Sequence, residues 1–148
     1  MTVRRGVTLI EMLLVLALVA ILAAGAVVAV RPGHARRSAH AYVRTVQGAR
    51  LAALAGTPVA VRWDDPDRRF LVREGGDCAG AVRGSLAPLP RVAVQLRLRD
   101  GVVWLPDGTG RACSGGGVYG GRVRFADRRE AWDVVVASTG RLRVEPAP

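Results

Sequence analysis

The sequence predicts an α+β protein: a long N-terminal α-helix packed on antiparallel β-sheet. Three observations carry that prediction. Residues 7–30 are almost unbroken in their apolarity, residues 35–54 repeat small and apolar side chains at helical spacing, and from Val59 to Val144 short segments alternate apolar with polar residues. The chain has 148 residues, one domain's worth. Half of it is hydrophobic, which excludes disorder. No glycine triplet, sustained heptad or internal repeat is visible, which excludes collagen-like, coiled-coil and solenoid classes. Three Trp, two Tyr and two Phe are the only aromatics, so the core must rest on Val, Leu and Ala.

The first element is the apolar run. Its 24 residues from Val7 to Val30 hold one charge, Glu11. As a helix they span roughly 36 Å, enough to cross a hydrocarbon core of about 30 Å. Arg4 and Arg5 ahead of the run direct the N-terminus to the cytoplasm and the remainder to export, although Arg31, Arg36 and Arg37 beyond it reduce the asymmetry. A secretory signal peptide is the competing reading, with Ala24-Gly25-Ala26 as its cleavage site. The length of the run and the carboxylate near its start count against it. Arg31-Pro32-Gly33 breaks or kinks the helix, because proline in a helix interior costs about 3 kcal/mol or more.

Beyond the break, Ala35, Ala39, Tyr42, Val43, Val46, Ala49 and Leu54 fall on one helical face, with Arg36, Arg37, Arg44 and Arg50 elsewhere. Residues 31–57 therefore read as an amphipathic stalk helix, closed by Gly56-Thr57-Pro58. The remainder, 58–148, reads as strands. Val59, Val61 and Trp63 alternate, Asp64-Asp65-Pro66-Asp67 turns, and Phe70 and Val72 return as a hairpin. Val92, Val94, Leu96 and Leu98 alternate with Ala93, Gln95, Arg97 and Arg99, and Asp100-Gly101 reads as a hairpin turn into Val102–Leu105. Val123 with Phe125, then Trp132, Val134 and Val136, then Leu142 and Val144 give three more short strands.

Cys78 and Cys113 are the only cysteines, and both fall in the exported body. An even count in an oxidising compartment favours a disulfide, which would tie together two Gly-rich stretches, 74–84 and 108–117. Two unpaired thiols are the alternative. There is no Cys-x-x-Cys, and His34 and His40 stand roughly 240° apart around a helix, so no metal site is expected. No cofactor is expected either. Gly115-Gly116-Gly117-Val118-Tyr119-Gly120 fits a dinucleotide-loop pattern, but no βαβ unit surrounds it. Asp64, Asp65 and Asp67 are ordinary turn chemistry, and no nucleophile–base constellation is visible. The chain reads as a non-enzyme.

All 22 basic residues are arginines, set against 12 acids for a formal charge of +10. Six of them form three Arg-x-Arg pairs: Arg97 with Arg99, Arg122 with Arg124, and Arg141 with Arg143. On a strand, both guanidiniums of such a pair leave one face, roughly 6.7 Å apart. That face would attract phosphate. The competing account is a solvated sheet face written in arginine by genome composition.

An ionised Glu11 inside a bilayer is costly unless it is paired. Its surroundings, Arg4-Arg5-Gly6-Val7-Thr8-Leu9-Ile10-Glu11-Met12-Leu13, resemble the leader of type IV pilins and type II secretion pseudopilins. The resemblance implies cleavage by a prepilin peptidase between Gly6 and Val7, N-methylation of Val7, and retention of Glu11 for filament assembly. Val7 departs from the family's usual phenylalanine. Residues 1–6 would then be a cytoplasmic leader, 7–30 a transmembrane and assembly helix, and 58–148 the exported body. The helix, the strand rhythm and the terminal Ser138-Thr139-Gly140-Arg141-Leu142-Arg143 resemble the GspH/FimT group of minor pseudopilins and minor pilins. That implies a pilin-like fold and a single-pass inner-membrane protein later extracted into a filament, with other pilins or pseudopilins as partners. Members of the FimT type bind DNA through a C-terminal Gly-Arg-x-Arg, which adds DNA uptake as the alternative to a structural role in secretion.

Overall fold

The computed structural model describes residues 8–29, 33–97, 101–114, 119–137 and 139–148, and of 25–29 the backbone alone. Among these residues the chain forms two units that divide at Gly33. The expected break at Pro32 lies outside the described residues.

The first unit is helix α1, Leu9–Ala29. Its described side chains are apolar on every side, apart from Glu11, and exposed. Thr8 opens the helix: its carbonyl accepts the amides of Glu11 and Met12, and its hydroxyl accepts that of Glu11 at 3.4 Å. Thr8-x-x-Glu11 is the sequence of a capping box, and a carboxylate in the first turn also suits the positive end of the helix dipole. Among the described residues no helix is long and apolar enough to cross a membrane.

The second unit begins with helix α2, His34–Leu54. Gly33 stands at its N-cap without a capping side chain. The orphan amides find partners far along the chain instead: Asp127 Oδ2 accepts from Ala35 N at 3.0 Å, and Glu130 Oε1 from Arg36 N at 3.1 Å. The amide of Arg129, with those of Ala35 and Glu130, holds the Asp127 carboxyl below the usual carboxylate range. Gly56, at φ +115°, ends the helix as expected. One residue of the expected stripe is misplaced. Leu54 is 51% exposed and Ala53 takes the inward position, because a 3.6-residue period from Ala35, Ala39, Tyr42, Val46 and Ala49 reaches 53.

Among the described residues nine strands follow in two antiparallel sheets. The first sheet contains β1 (Val59–Asp64), β2 (Arg69–Glu74), β3 (Val82–Leu86), β5 (Val102–Trp104) and β6 (Gly110–Ala112), in the order β3-β2-β1-β5-β6. The second contains β4 (Ala93–Arg97), β7 (Gly121–Ala126), β8 (Ala131–Val136) and β9 (Leu142–Pro146), in the order β4-β7-β8-β9. The expected β1–β2 hairpin forms, with Trp63 opposite Phe70. Asp100 of the expected hairpin turn lies outside the described residues, and the strands on either side of it do not pair with each other. β4 pairs with β7 in one sheet, whereas β5 pairs with β1 and β6 in the other. All three residues of β5 are buried, a demand that a place between β1 and β6 meets and a pairing with exposed β4 would not.

The inner faces of both sheets pack on α2. Tyr42 joins the three layers, its ring 4.5 Å from Phe70 of the first sheet and 5.7 Å from Phe125 of the second. Burying each of these side chains stabilises the fold by about 2–3 kcal/mol. The core around them is mostly Val and Ala, as composition required. Trp104 is fully buried, while Trp63 and Trp132 are partly so. Ala60 and Val103 form a second small cluster with Cys78. Cys78 and Cys113 are disulfide-bonded, with Cα atoms 5.6 Å apart. The two Gly-rich stretches it ties overlap the strands the sequence did not reveal, β3 and β6.

Candidate functional site

Register decides what the arginines can do. On the second sheet, Val123, Phe125, Val134 and Val136 face the core, so the alternate positions form the outer face. Cross-strand pairing sets Arg97 opposite Arg122, Arg122 opposite Val135, and Val135 opposite Arg143. The neighbouring row is Gln95, Arg124, Asp133 and Glu145. The structure thus brings four of the six predicted arginines onto one face: Arg97, Arg122, Arg124 and Arg143. Arg141 is exposed just before β9. Arg99 lies outside the described residues.

The face is less basic than the arginine pattern alone implies. Arg124 grips Asp133 through two bonds, Nε to Oδ1 at 2.9 Å and Nη2 to Oδ2 at 3.0 Å. Arg122 donates to the same carboxylate at 3.2 Å and to Glu145 at 3.4 Å. Asp133 is 0% exposed beneath them. The Arg124 bond, then the charges of Arg124, Arg122 and Arg97, hold its carboxyl below the usual range against the opposing effect of burial. Two of the predicted phosphate-binding arginines are therefore committed to internal acids. Arg97, Arg141 and Arg143 make no ion pair among the described residues. Sequence reading missed Asp133 and Glu145 because it weighed the Arg-x-Arg pattern strand by strand. The alternation Asp133/Val135 and Glu145/Arg143 was the available signal.

The other predicted site residues lie at the N-terminus. Gly6 and Val7 are outside the described residues. Glu11 is exposed in the first turn of α1. His34 and His40 are exposed on α2, the His34 ring 3.3 Å from the Pro90 carbonyl. Among the described residues no His, Cys, Asp and Glu group could hold a metal. Of the glycine-rich pattern, residues 115–118 lie outside the described residues.

Residues 1–27 match the prokaryotic N-terminal methylation motif. The fold is similar to two structures of the minor pseudopilin EpsH from the type II secretion system of Vibrio cholerae. One aligns with a TM-score of 0.60 at 16% identity, over 77% of this chain and 98% of EpsH. The other aligns at 0.58 and 14%, over 76% and 95%. No curated protein matches the sequence. The chain has a prepilin-type leader motif followed by the fold of a minor pseudopilin.

Proposed function

We propose that this chain is a minor pilin or pseudopilin, a subunit of an envelope-spanning filament with a structural and assembly role in protein secretion. The observation that carries the reading is the conjunction of a methylation motif over residues 1–27 with an EpsH-like fold over 77% of the chain. Either alone is weaker: leader-like runs occur by chance, and folds are shared between functions. In this reading a prepilin peptidase cuts after Gly6 and methylates Val7. Residues 7–30 anchor the chain in the inner membrane, with the body exported, and later pack among other pilins or pseudopilins in the filament. The new N-terminal ammonium lies one helical turn from Glu11, giving that carboxylate a cation within or between subunits. Intact mass of the chain recovered from membranes tests the proposal. The expected mass is that of residues 7–148 with one added methyl; an N-terminus near Val27 would overturn it.

DNA uptake is the second reading, favoured by the exposure of Arg97, Arg141 and Arg143. The structural role ranks first because Arg122 and Arg124 already have acid partners.

A further inference from the structure

A basic collar surrounds the N-terminal end of α2, separate from the arginine face described above. Arg36 and Arg37 lie in the helix's first turn and are exposed. Arg128 and Arg129 occupy the β7–β8 turn, also exposed, and that turn is fastened to the same helix end by Asp127 and Glu130. Arg91 is brought there by Pro90, whose carbonyl approaches the His34 ring. None of the five forms an ion pair among the described residues. The two carboxylates within the collar are engaged by backbone amides and an indole, not by its guanidiniums. Asp127 accepts the amides of Ala35, Arg129 and Glu130, while Glu130 accepts Arg36 N and the Trp132 indole. The turn after β1 borders Arg91 through Arg68, but its Asp65 and Asp67 are engaged by Trp63 and Arg69.

We infer that this collar docks on the headgroups of anionic phospholipids at the outer leaflet of the membrane that anchors the chain. The inference rests on the anchored-subunit reading above. α2 begins five residues after α1 ends, so this end of the body is the one tethered closest to the apolar helix in sequence. Five arginines against two internally committed carboxylates match a surface of phosphodiesters, and guanidinium is the side chain best shaped to grip phosphate oxygens from more than one side. Polybasic segments next to a membrane anchor bind anionic bilayers by this additive attraction, which fades beyond a Debye length and is screened by salt. Exposed arginine on a tethered body is thereby used to set its height above the bilayer before assembly. Extraction into a filament must break the contact.

The test uses the full chain in lipid nanodiscs, one set wholly phosphatidylcholine and one containing phosphatidylglycerol, with amide hydrogen exchange read over 33–37 and 127–130. Exchange there should slow by at least about threefold in the anionic discs only. High salt, or the variant R91Q/R128Q/R129Q with unchanged near-ultraviolet dichroism, should remove the protection. A chain that enters the discs yet exchanges equally in both overturns the docking and leaves the anchored reading intact. A chain that enters neither overturns the anchored reading and the docking with it. Equal protection in neutral discs from an added DNA duplex would assign the collar to nucleic acid instead.

Discussion

Gly140 lies against Trp104: a β-carbon on it would stand 2.9 Å from the indole Cζ3. Its φ is +77°, and its carbonyl accepts Arg50 Nη1 at 3.4 Å while the Arg50 guanidinium lies 5.5 Å from the Trp104 ring centre. The glycine that opens Gly140-Arg141-Leu142-Arg143 is thus demanded by the core. Gly140→Ala should destabilise the body by about 2 kcal/mol through left-handed strain and overpacking. Thermal melting of the full chain in detergent checks this, and an unchanged midpoint would contradict it.

Asp133 makes stability pH-dependent. Its folded-state pKa lies below its unfolded value, so its pairing with Arg124 and Arg122 contributes fully above the ordinary carboxylate range. That contribution is lost as pH falls from about 4 through the depressed value. Melting temperature should drop on acidification across that range. Asp133→Asn should be less stable at neutral pH and show a shallower acid limb. A variant with the wild-type acid profile would show that the pair contributes nothing.

The disulfide closes a span of 35 residues between Cys78 and Cys113. By chain entropy this stabilises the fold by about 4 kcal/mol. Replacing both cysteines with serine should lower the denaturation midpoint accordingly, and reductant should do the same to the wild type. Insensitivity to reductant would show that the bridge holds nothing that the sheet does not already hold.

Glu11 has two candidate duties, helix capping and charge pairing, and Glu11→Gln separates them. Glutamine suits a capping box as glutamate does but carries no charge. The variant should insert into the membrane normally and enter filaments at least about tenfold less, read by immunoblotting of sheared filaments against membranes. Wild-type incorporation would assign Glu11 to capping alone.

If the second sheet's outer face binds DNA, its arginines should divide by partner. Removing Arg97, Arg141 and Arg143 should abolish retention of a duplex and flatten the salt dependence, which steepens by about 0.9 per phosphate contact. Removing Arg122 and Arg124 should instead destabilise the fold by leaving Asp133 buried without a cation. Equal loss of binding from both sets, with folding intact, would indicate diffuse attraction to a basic protein.

Much of this architecture was legible because it rests on periodicity. The α2 stripe, the β1–β2 hairpin and β7 to β9 all announce their buried faces by spacing. β3 and β6 stayed hidden because they are edge strands: Val82 and Arg83 are exposed, and β6 is only three residues long and opens on Gly110. Asp100-Gly101 misled because turn chemistry reports a local bend, not which sheet the next strand joins. The Arg124–Asp133 pair depended on cross-strand register, a non-local fact that only folding supplies.

The side-chain clasp on the first turn of α2 has a mechanical meaning. Asp127 and Glu130 reach it from 92 and 94 residues away, and both belong to the turn between β7 and β8. Tension entering the body at Gly33 would otherwise peel α2 open one turn at a time, each step costing a single hydrogen bond. With the clasp closed, the pull is shared with strands whose ladders must slide together before any one of them yields. A body pulled by its N-terminal end therefore resists as a bolted joint rather than as a zip, and the bolt is two carboxylates on four residues of turn.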